Sequence, residues 1–286
     1  LGMPEKVVEY IMHNRVVSSK RGSGIGVRNV DERIKLIYGE QYGVTIESEL
    51  DEGTTVSIRI PAIIYSEEDD PHRLLGPHRE GNATVVQAFY PGAVSMELKL
   101  PGQKTVEMEQ ADEAGYYAVL IPGRRIPDYE FQVEFEKETK NFKDAYAFGG
   151  LLTEEDERAF LGGVYYEAYK KMGAHPMVMN GVAGTHFAVW APNAVRVSVV
   201  GEFNNWDGRA LPMHKMPMSG LFELFIPGVK AGDAYRYEIK AKGDVLLQKA
   251  DPYGNRTQPA PLWNSVVADV SDLSLIHISE PTRRTP

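Results

Sequence analysis

The sequence predicts a mainly β protein with two tandem immunoglobulin-like β-sandwiches, preceded by a partial α/β segment. Three observations predict this fold. Apolar residues alternate with other residues in the segments before and after Pro192-Asn193, and this pattern is typical of two adjacent strands. This strand pair recurs earlier in the chain, and short Pro- and Gly-containing turns separate the segments of both copies.

The two copies match at four places in the same order, which indicates an internal duplication. The matching segments are Thr84–Leu100 with Thr185–Val200, Gly115–Gly123 with Gly220–Gly228, Tyr129–Phe135 with Tyr235–Ala241, and Asp144–Tyr146 with Asp251–Tyr253. The duplication predicts the same sandwich twice. The predicted core residues of the second copy are Val195, Val197, Val199, Tyr235, Tyr237 and Ile239, together with Trp190.

The predicted order of segments follows from these repeats and from the changes in composition between them. We expect a partial α/β domain at 1–62, a linker at 63–80, a first, degenerate sandwich at 81–150, a connecting helical segment at 151–180, a second sandwich at 181–271 and a disordered tail at 272–286. The tail resembles translated sequencing-adapter DNA. An assembled reading frame and a natural fusion are both open explanations of the whole arrangement.

The connecting segment carries a helix-start signal at Thr153, which is followed by acidic residues. We expect its apolar side chains to cover a sheet face; they are Phe160, Leu161, Tyr165 and Tyr169. His175 is predicted to be a turn residue. Because no second histidine or carboxylate accompanies it at metal spacing, no metal site is predicted.

Composition excludes several classes of protein. The formal net charge is -9, which argues against a nucleic-acid-binding surface. The chain has no cysteine, so it has neither disulfides nor thiolate metal sites. No apolar run approaches the ~20 residues of a membrane helix, and no secretory signal is visible. These features predict a cytoplasmic protein without a membrane segment.

Trp206 lies in a polar loop, Gly201–Gly208, with Asn204 and Asn205 beside it. An aromatic ring can stack on the C–H groups of a sugar while amides bond its hydroxyls, so these three residues are candidate carbohydrate contacts. The alternative is that Trp206 packs against another domain or a neighbouring loop. The first copy has no counterpart of this loop, so we expect the first sandwich to be structural only.

Gly22, Gly24 and Gly26 precede a predicted helix at Val27–Tyr38, which is followed by a predicted hairpin with strands at Gly43–Glu49 and Thr54–Ile60. A glycine-rich loop before a helix can bind phosphate through backbone N–H groups, although a plain flexible turn has the same composition.

In context, LGMP, GSGIGVRNVDERIKLIYG and DEGTTVSIRIP resemble the C-terminal half of a sensor histidine kinase ATPase domain over residues 1–61. This resemblance implies that Gly22, Gly24 and Gly26 line an ATP lid and that Thr54 lies near the adenine pocket. The family's Mg-binding Asn and adenine-reading Asp would precede residue 1. We therefore expect no cofactor, because ATP would bind only if this incomplete pocket were functional.

The motifs DDPHRLLGPH, YEAYKKMGAHP, GTHFAVWAPNAVRVSVVGEFNNWDG and KADPYGN resemble the N-terminal region of a bacterial 1,4-α-glucan (glycogen) branching enzyme over residues 69–273. Within that region the second copy is similar to a family-48 carbohydrate-binding module. The resemblance implies α-glucan or glycogen as a partner, bound by Trp206, Asn204 and Asn205. A second tryptophan of glucan-binding members is replaced here by Val245 and Leu246.

In this family a (β/α)8 catalytic barrel follows the sandwiches. Too few residues remain after residue 273 for a barrel of about 250 residues, so we expect the barrel to be missing and assign no catalytic residue. We favour a non-catalytic, glucan-binding accessory region of a branching enzyme, because that resemblance covers more of the chain. The alternative is a remnant of a two-component sensor kinase.

Overall fold

The computed structural model describes residues 2–4, 6–8, 25–38, 42–49, 53–59, 70–102, 104–123, 126–243 and 245–270. The chain divides into two compact units, residues 1–68 and 69–286. Within the described ranges, no helix is both long enough and apolar enough to cross a membrane. The predicted disordered tail, 272–286, lies outside the described residues.

Among its described residues, the first unit has a long helix and a hairpin where they are predicted. Helix α1 (Ile25–Tyr38) is followed by the antiparallel strands β1 (Gly43–Glu49) and β2 (Gly53–Arg59). Asp31 of α1 is buried and joins the helix to the hairpin, because its Oδ1 accepts a hydrogen bond from the Val44 amide at 2.7 Å. Its Oδ2 accepts from Lys35 Nζ one turn later, at 2.7 Å.

The second unit begins with the first sandwich, which has two four-stranded antiparallel sheets. One sheet has the order β3-β4-β8-β7 and the other β10-β9-β5-β6. The strands are β3 (Gly76–Glu80), β4 (Ala83–Phe89), β5 (Ala93–Lys99), β6 (Val106–Glu107), β7 (Glu109–Asp112), β8 (Tyr116–Pro122), β9 (Glu130–Phe135) and β10 (Thr139–Phe142). Strand β3 lies inside the range predicted to be a linker.

The second sandwich repeats this arrangement. One sheet has the order β11-β12-β15-β14, and in the other β16 pairs with β13, β17 and β18. The strands are β11 (Gly173–Met179), β12 (Val182–Trp190), β13 (Ala194–Gly201), β14 (His214–Lys215), β15 (Leu221–Pro227), β16 (Ala234–Ala241), β17 (Val245–Lys249) and β18 (Ser265–Val266). The prediction of a mainly β chain is confirmed.

The two sandwiches share the strand order of the sheet that begins each copy, and they also share a register shift in the other sheet. In each, the register shifts at the start of the second matched strand, after Ala93 in β5 and after Ala194 in β13. Gly76 and Gly173 also occupy equivalent places at positive φ, where a following segment crosses the strand. A Cβ on Gly76 would lie 2.7 Å from the Tyr146 carbonyl oxygen, so glycine is required there.

Each core lies between the two sheets of its own sandwich. The predicted core residues Val197, Val199, Tyr235 and Tyr237 are buried, and Ile239 packs against them. Their counterparts in the first sandwich are also buried; they are Met96, Leu98, Tyr129, Phe131 and Val133. Alternation with period two therefore identified the inward faces of both copies.

The prediction that Trp190 is a core residue is wrong. Its side chain is 51% exposed, because it lies at the end of β12 on the outer face of the sheet. Its indole N–H donates to the Ser219 carbonyl oxygen at 2.9 Å, and its ring contacts Phe160 at a centroid distance of 5.7 Å. His175 is likewise not a turn residue, since it belongs to β11.

The connecting segment packs on the outer face of the sheet that contains β12. Helix α2 (Glu154–Leu161) begins at Thr153, whose side chain and that of Asp156 form a reciprocal capping box, as predicted. Phe160 and Tyr165 pack on the sheet, together with Leu152, Ala168 and Met172. Leu161 and Tyr169 instead remain 56% and 61% exposed.

Candidate carbohydrate-binding loop and cleft

The loop Gly201–Gly208 begins directly at the end of β13. A short 3-10 turn, Glu202–Asn204, is followed by Asn205 and Trp206 with φ of 54° and 59°. Asparagine adopts this left-handed conformation more readily than most residues, whereas a bulky residue there is uncommon. Two consecutive residues in this region turn the chain sharply and present Asn205 to solvent.

Asn204 holds the loop together through its side-chain amide. Its Nδ2 donates to the carbonyl oxygens of Val199 at 2.8 Å and Asp207 at 3.2 Å. Its Oδ1 accepts from the Gly201 amide at 2.9 Å. Since both N–H groups of the amide are already used, Asn204 positions the loop and has little capacity left to donate to a ligand.

Arg196 anchors the far end of the loop from beneath. Its side chain is 2% exposed and donates both to the Gly208 carbonyl oxygen and to Glu238 Oε1, the latter at 2.6 Å. Burial lowers the pKa of Arg196, and the neighbouring Glu238 opposes that shift. A Cβ on Gly208 would lie 2.0 Å from Glu238 Oε1, so any other residue there would displace the Glu238 carboxylate from Arg196.

Trp206 is half-buried, and its orientation is fixed by its indole N–H, which donates to Glu202 Oε1 at 2.8 Å. Asn205 reaches the first sandwich, because its Oδ1 accepts from Lys140 Nζ at 3.3 Å. Lys140 lies on β10, so one polar contact joins the loop to the opposite sandwich.

A cleft of about 920 Å³ lies beside this contact, and both sandwiches line it. The first sandwich contributes Tyr90 and Phe142, whose rings stack with centroids 5.3 Å apart and planes 21° apart. The second contributes Phe203 and Asn205. Aromatic faces beside amide and charged groups suit a hydroxyl-rich, amphipathic ligand such as a sugar chain.

The predicted site residues are thus only partly brought together. Asn204 and Asn205 line the cleft, whereas Trp206 is not among its described lining residues and stands on the same loop beside it. The lining residues of the first sandwich were missed, because the FNNW motif, Phe203–Trp206, has no counterpart in the first copy. Tyr90 and Lys140 are distant in sequence from the loop, and no motif links them to it.

No ATP pocket can be described for the residues that the sequence predicts to form one. Gly22 and Gly24 lie outside the described residues, and Gly26 lies in the first turn of α1. Thr54 is exposed on the hairpin, where its hydroxyl lies 2.7 Å from Ser48 Oγ.

Comparisons with known proteins agree with the division into two sandwiches. Residues 57–146 match the N-terminal domain of the α-1,4-glucan branching enzyme GlgB, and residues 171–254 match carbohydrate-binding module 48, the isoamylase N-terminal domain. Neither range includes residues 1–56, so the kinase-type resemblance gains no support from them.

Curated relatives include the 1,4-alpha-glucan branching enzymes GlgB of Saccharophagus degradans and Burkholderia pseudomallei. The first is 41% identical over 73% of this chain and the second 40% identical over 75%. The matches span 29% and 30% of the lengths of these relatives.

Among solved structures, a pullulanase from Anoxybacillus sp. LM18-11 complexed with maltotetraose aligns over 73% of this chain and 28% of its own. The identity is 15% and the TM-score 0.31, a similarity too low to define a common arrangement. The matched ranges and the sequence identities show that this chain contains, in order, a GlgB-type N-terminal domain and a carbohydrate-binding module of family 48.

Proposed function

We propose that the two sandwiches bind α-1,4-linked glucan chains as the accessory, non-catalytic region of a GlgB-type branching enzyme. The observation that carries this proposal is that the range matching carbohydrate-binding module 48 includes the loop Gly201–Gly208. In this proposal the Trp206 ring stacks on a glucose unit, Asn205 bonds its hydroxyls, and Asn204 holds both in place.

The cleft beside the loop supports an extended binding path. A glucan chain that leaves Trp206 would pass Asn205 and reach Lys140 and the stacked Tyr90–Phe142 pair of the first sandwich. The Lys140–Asn205 contact is long, at 3.3 Å, and is exposed, so sugar hydroxyls can replace it at low cost. Both sandwiches would then contribute to binding, in contrast to the expectation from the sequence that the first is structural only.

The activity of the relatives is part of the same proposal. These relatives are 1,4-alpha-glucan branching enzymes, and the region of this chain that resembles them would hold donor or acceptor glucan near a catalytic barrel. A cytoplasmic location, with glycogen as the natural partner, belongs to this proposal as well. We make no proposal of ATP binding for residues 1–62.

Affinity electrophoresis in gels that contain glycogen or amylose tests the proposed contacts. We expect Trp206→Ala to lower glucan affinity at least about tenfold, since the aromatic stacking surface is lost. Trp263→Ala is the matched control, because Trp263 also has a positive φ, of 52°, and is 60% exposed. Its removal should leave mobility unchanged.

Asn205→Gly separates the side-chain contribution from the backbone, because glycine retains the left-handed conformation while it removes the amide. We expect a smaller loss of affinity than for Trp206→Ala. Glucan retardation that both variants leave intact, with folding verified by circular dichroism, would contradict the proposed site.

A further inference from the structure

Three potential metal ligands from distant parts of the chain meet outside the cleft. Asp70 precedes the 3-10 turn Pro71–Arg73, which contains His72, whereas His214 lies on β14 of the second sandwich. His214 Nδ1 lies 3.0 Å from Asp70 Oδ1, and His72 Nδ1 lies 4.0 Å from the same oxygen. One ligand atom of each residue lies within 4.8 Å of those of the other two.

The hydrogen bond of His72 Nε2 determines that the other ring nitrogen, Nδ1, faces Asp70 with a free lone pair. His72 Nε2 lies 3.0 Å from the Phe148 carbonyl oxygen, which can only accept, so Nε2 carries the hydrogen. In the neutral ring the lone pair therefore lies on Nδ1, on the side of Asp70. Metal-binding histidines show this same pattern, in which the second ring nitrogen donates to a carbonyl or carboxylate.

An aromatic neighbour restrains the ring of His72. The edge-to-face contact with Tyr146, at a centroid distance of 5.3 Å, holds the ring in position. A neutral imidazole is the form that coordinates a metal ion.

We propose that Asp70, His72 and His214 bind a divalent transition-metal ion of the Zn²⁺ class, with water at the remaining position. Two imidazoles and one carboxylate are a common ligand set for such ions. Tetrahedral zinc sites have ligand-to-ligand separations of about 3.3 Å, so His72 Nδ1 needs to approach Asp70 Oδ1 by about 0.7 Å and the two imidazoles need to approach each other by no more than about 1.5 Å. The side chains of Asp70, His72 and His214 are 32%, 24% and 29% exposed, which leaves a path for the ion.

Coordination needs no redox step and no additional reactant. The ion takes lone pairs from Asp70, His72 Nδ1 and His214 Nδ1, and the His214 hydrogen that now faces Asp70 moves to Nε2 or to solvent. The bound ion would join the segment that leads into the first sandwich to β14 of the second. The site is therefore expected to stabilise the paired sandwiches and to be separate from glucan binding.

The test uses the whole chain with His13 and His277 replaced by Ala, because these two histidines lie outside the described residues and would add background binding. Zn²⁺ is titrated calorimetrically, and Co²⁺ absorption reports the coordination geometry. His72→Ala, His214→Ala and the isosteric Asp70→Asn are compared with His175→Ala. His175 is the matched control, because it is also half-buried and its Nε2 lies 2.9 Å from the Met172 carbonyl oxygen.

We expect one Zn²⁺ per chain, a Co²⁺ spectrum of low coordination number and a rise in Tm on addition of zinc. Each ligand substitution should weaken binding at least about tenfold and abolish the rise in Tm, whereas His175→Ala should change neither. Circular dichroism without metal verifies folding of each variant, and Asp70→Asn provides a test that preserves side-chain volume. Absence of zinc binding, or binding unchanged by His214→Ala and Asp70→Asn, would overturn the proposal.

Discussion

The two sandwiches share a buried tyrosine–aspartate pair but differ in what covers the sheet that begins each copy. Tyr129 Oη donates to Asp144 Oδ2 at 2.6 Å, and Tyr235 Oη donates to Asp251 Oδ2 at 2.5 Å. In each copy the other carboxylate oxygen accepts from the backbone amide two residues later, at 2.8 Å. The tyrosine–aspartate pair holds the segment that follows β10 in the first sandwich and β17 in the second, so it is a feature that both copies share.

The outer faces of these two sheets differ, because the second copy has a glutamate and a histidine where the first has apolar residues. Glu223 and His186 of the second sandwich correspond to Ala118 and Val85 of the first. Glu223 Oε2 lies 2.9 Å from His186 Nε2 and accepts from two backbone amides of the connecting segment, at 2.7 and 3.0 Å. Glu223 thus attaches the connecting segment to the second copy, while the equivalent position of the first copy is the apolar Ala118.

The same comparison explains where a binding loop can form. Arg196, which anchors the loop Gly201–Gly208, corresponds to Ser95 in the first sandwich. Ser95 instead donates to the exposed Glu134 at 2.7 Å. One buried guanidinium thus accompanies the loop in the second copy, while the first copy contributes only to the wall of the cleft.

The largest expected effect tests the attachment of the connecting segment. Glu223→Ala should lower the free energy of unfolding by about 3–5 kcal/mol, because the buried Leu152 amide, the partly buried Leu151 amide and the buried His186 lose their acceptor. Burial alone would raise the pKa of Glu223, but the bonds from His186 and the Leu152 amide lower it, so the carboxylate is ionised at neutral pH. Urea denaturation measures the loss.

Glu134→Ala on the first sandwich is the control, since an exposed carboxylate should cost less than about 1 kcal/mol. Equal losses for Glu223→Ala and Glu134→Ala would show that Glu223 contributes no more to stability than an exposed carboxylate does.

The second effect concerns pH and the shared pair. Burial raises the pKa of Asp144 to about 6, against the opposing bonds from Tyr129 and the Tyr146 amide. A carboxyl group whose pKa is higher in the folded protein than in the unfolded protein contributes its full stabilisation of the fold at pH values below the unfolded pKa. That contribution is lost as the pH rises through the folded pKa. The contribution of Asp144 to the free energy of unfolding should fall by about 3 kcal/mol between about pH 4 and 6.

Asp144→Asn should flatten this part of the pH profile, which thermal unfolding at a series of pH values records. Part of the dependence should remain, because burial also raises the pKa of Asp251. Asp128→Asn is the control, since the side chain of Asp128 is 74% exposed. A profile that Asp144→Asn leaves unchanged would show that the carboxyl group does not titrate in this range.

A smaller effect distinguishes the two tyrosine–aspartate pairs. Tyr129→Phe should cost about 2 kcal/mol, because Asp144 loses its side-chain donor. Tyr235→Phe should cost about 1 kcal/mol, since Tyr237 Oη remains 3.3 Å from Asp251 Oδ2. The corresponding residue of the first sandwich is Phe131, which has no hydroxyl. Chemical denaturation of both variants that gives the reverse order would contradict this explanation.

The smallest effect tests the connecting helix alone. Thr153→Ala should destabilise the protein by about 1 kcal/mol, because the Asp156 amide loses the N-cap hydroxyl. Thr153→Ser should restore most of that stability in the same thermal unfolding assay. Failure of serine to rescue would assign the loss to something other than the cap.

Much of the fold could be predicted from the sequence, because alternation and turn residues are local signals. The duplication gave both sandwiches and their cores, and Thr153 gave the helix start. Trp190 was mispredicted because alternation identifies the two faces of a strand but not what covers the outer one. His175 was mispredicted because the strand β11 starts within the Gly-Ala-His-Pro sequence, which reads as a turn.

The candidate site was harder to predict, because it is assembled from both copies. The FNNW loop was visible as a motif, but its contact with Lys140 depends on how the sandwiches pack. The Asp70–His214 contact spans 144 positions in sequence for the same reason. Neither pair has a characteristic spacing, so sequence patterns alone could not reveal it.

A hydrogen-exchange footprint of the whole chain, with and without maltoheptaose, tests the proposed glucan site most directly. Glucan should slow amide exchange in the loop Gly201–Gly208 and in β10 around Lys140. The outer face beneath helix α2 should be unchanged. Protection confined to other parts of the sandwiches, or no protection at saturating maltoheptaose, would contradict the claim that the second copy carries the glucan site.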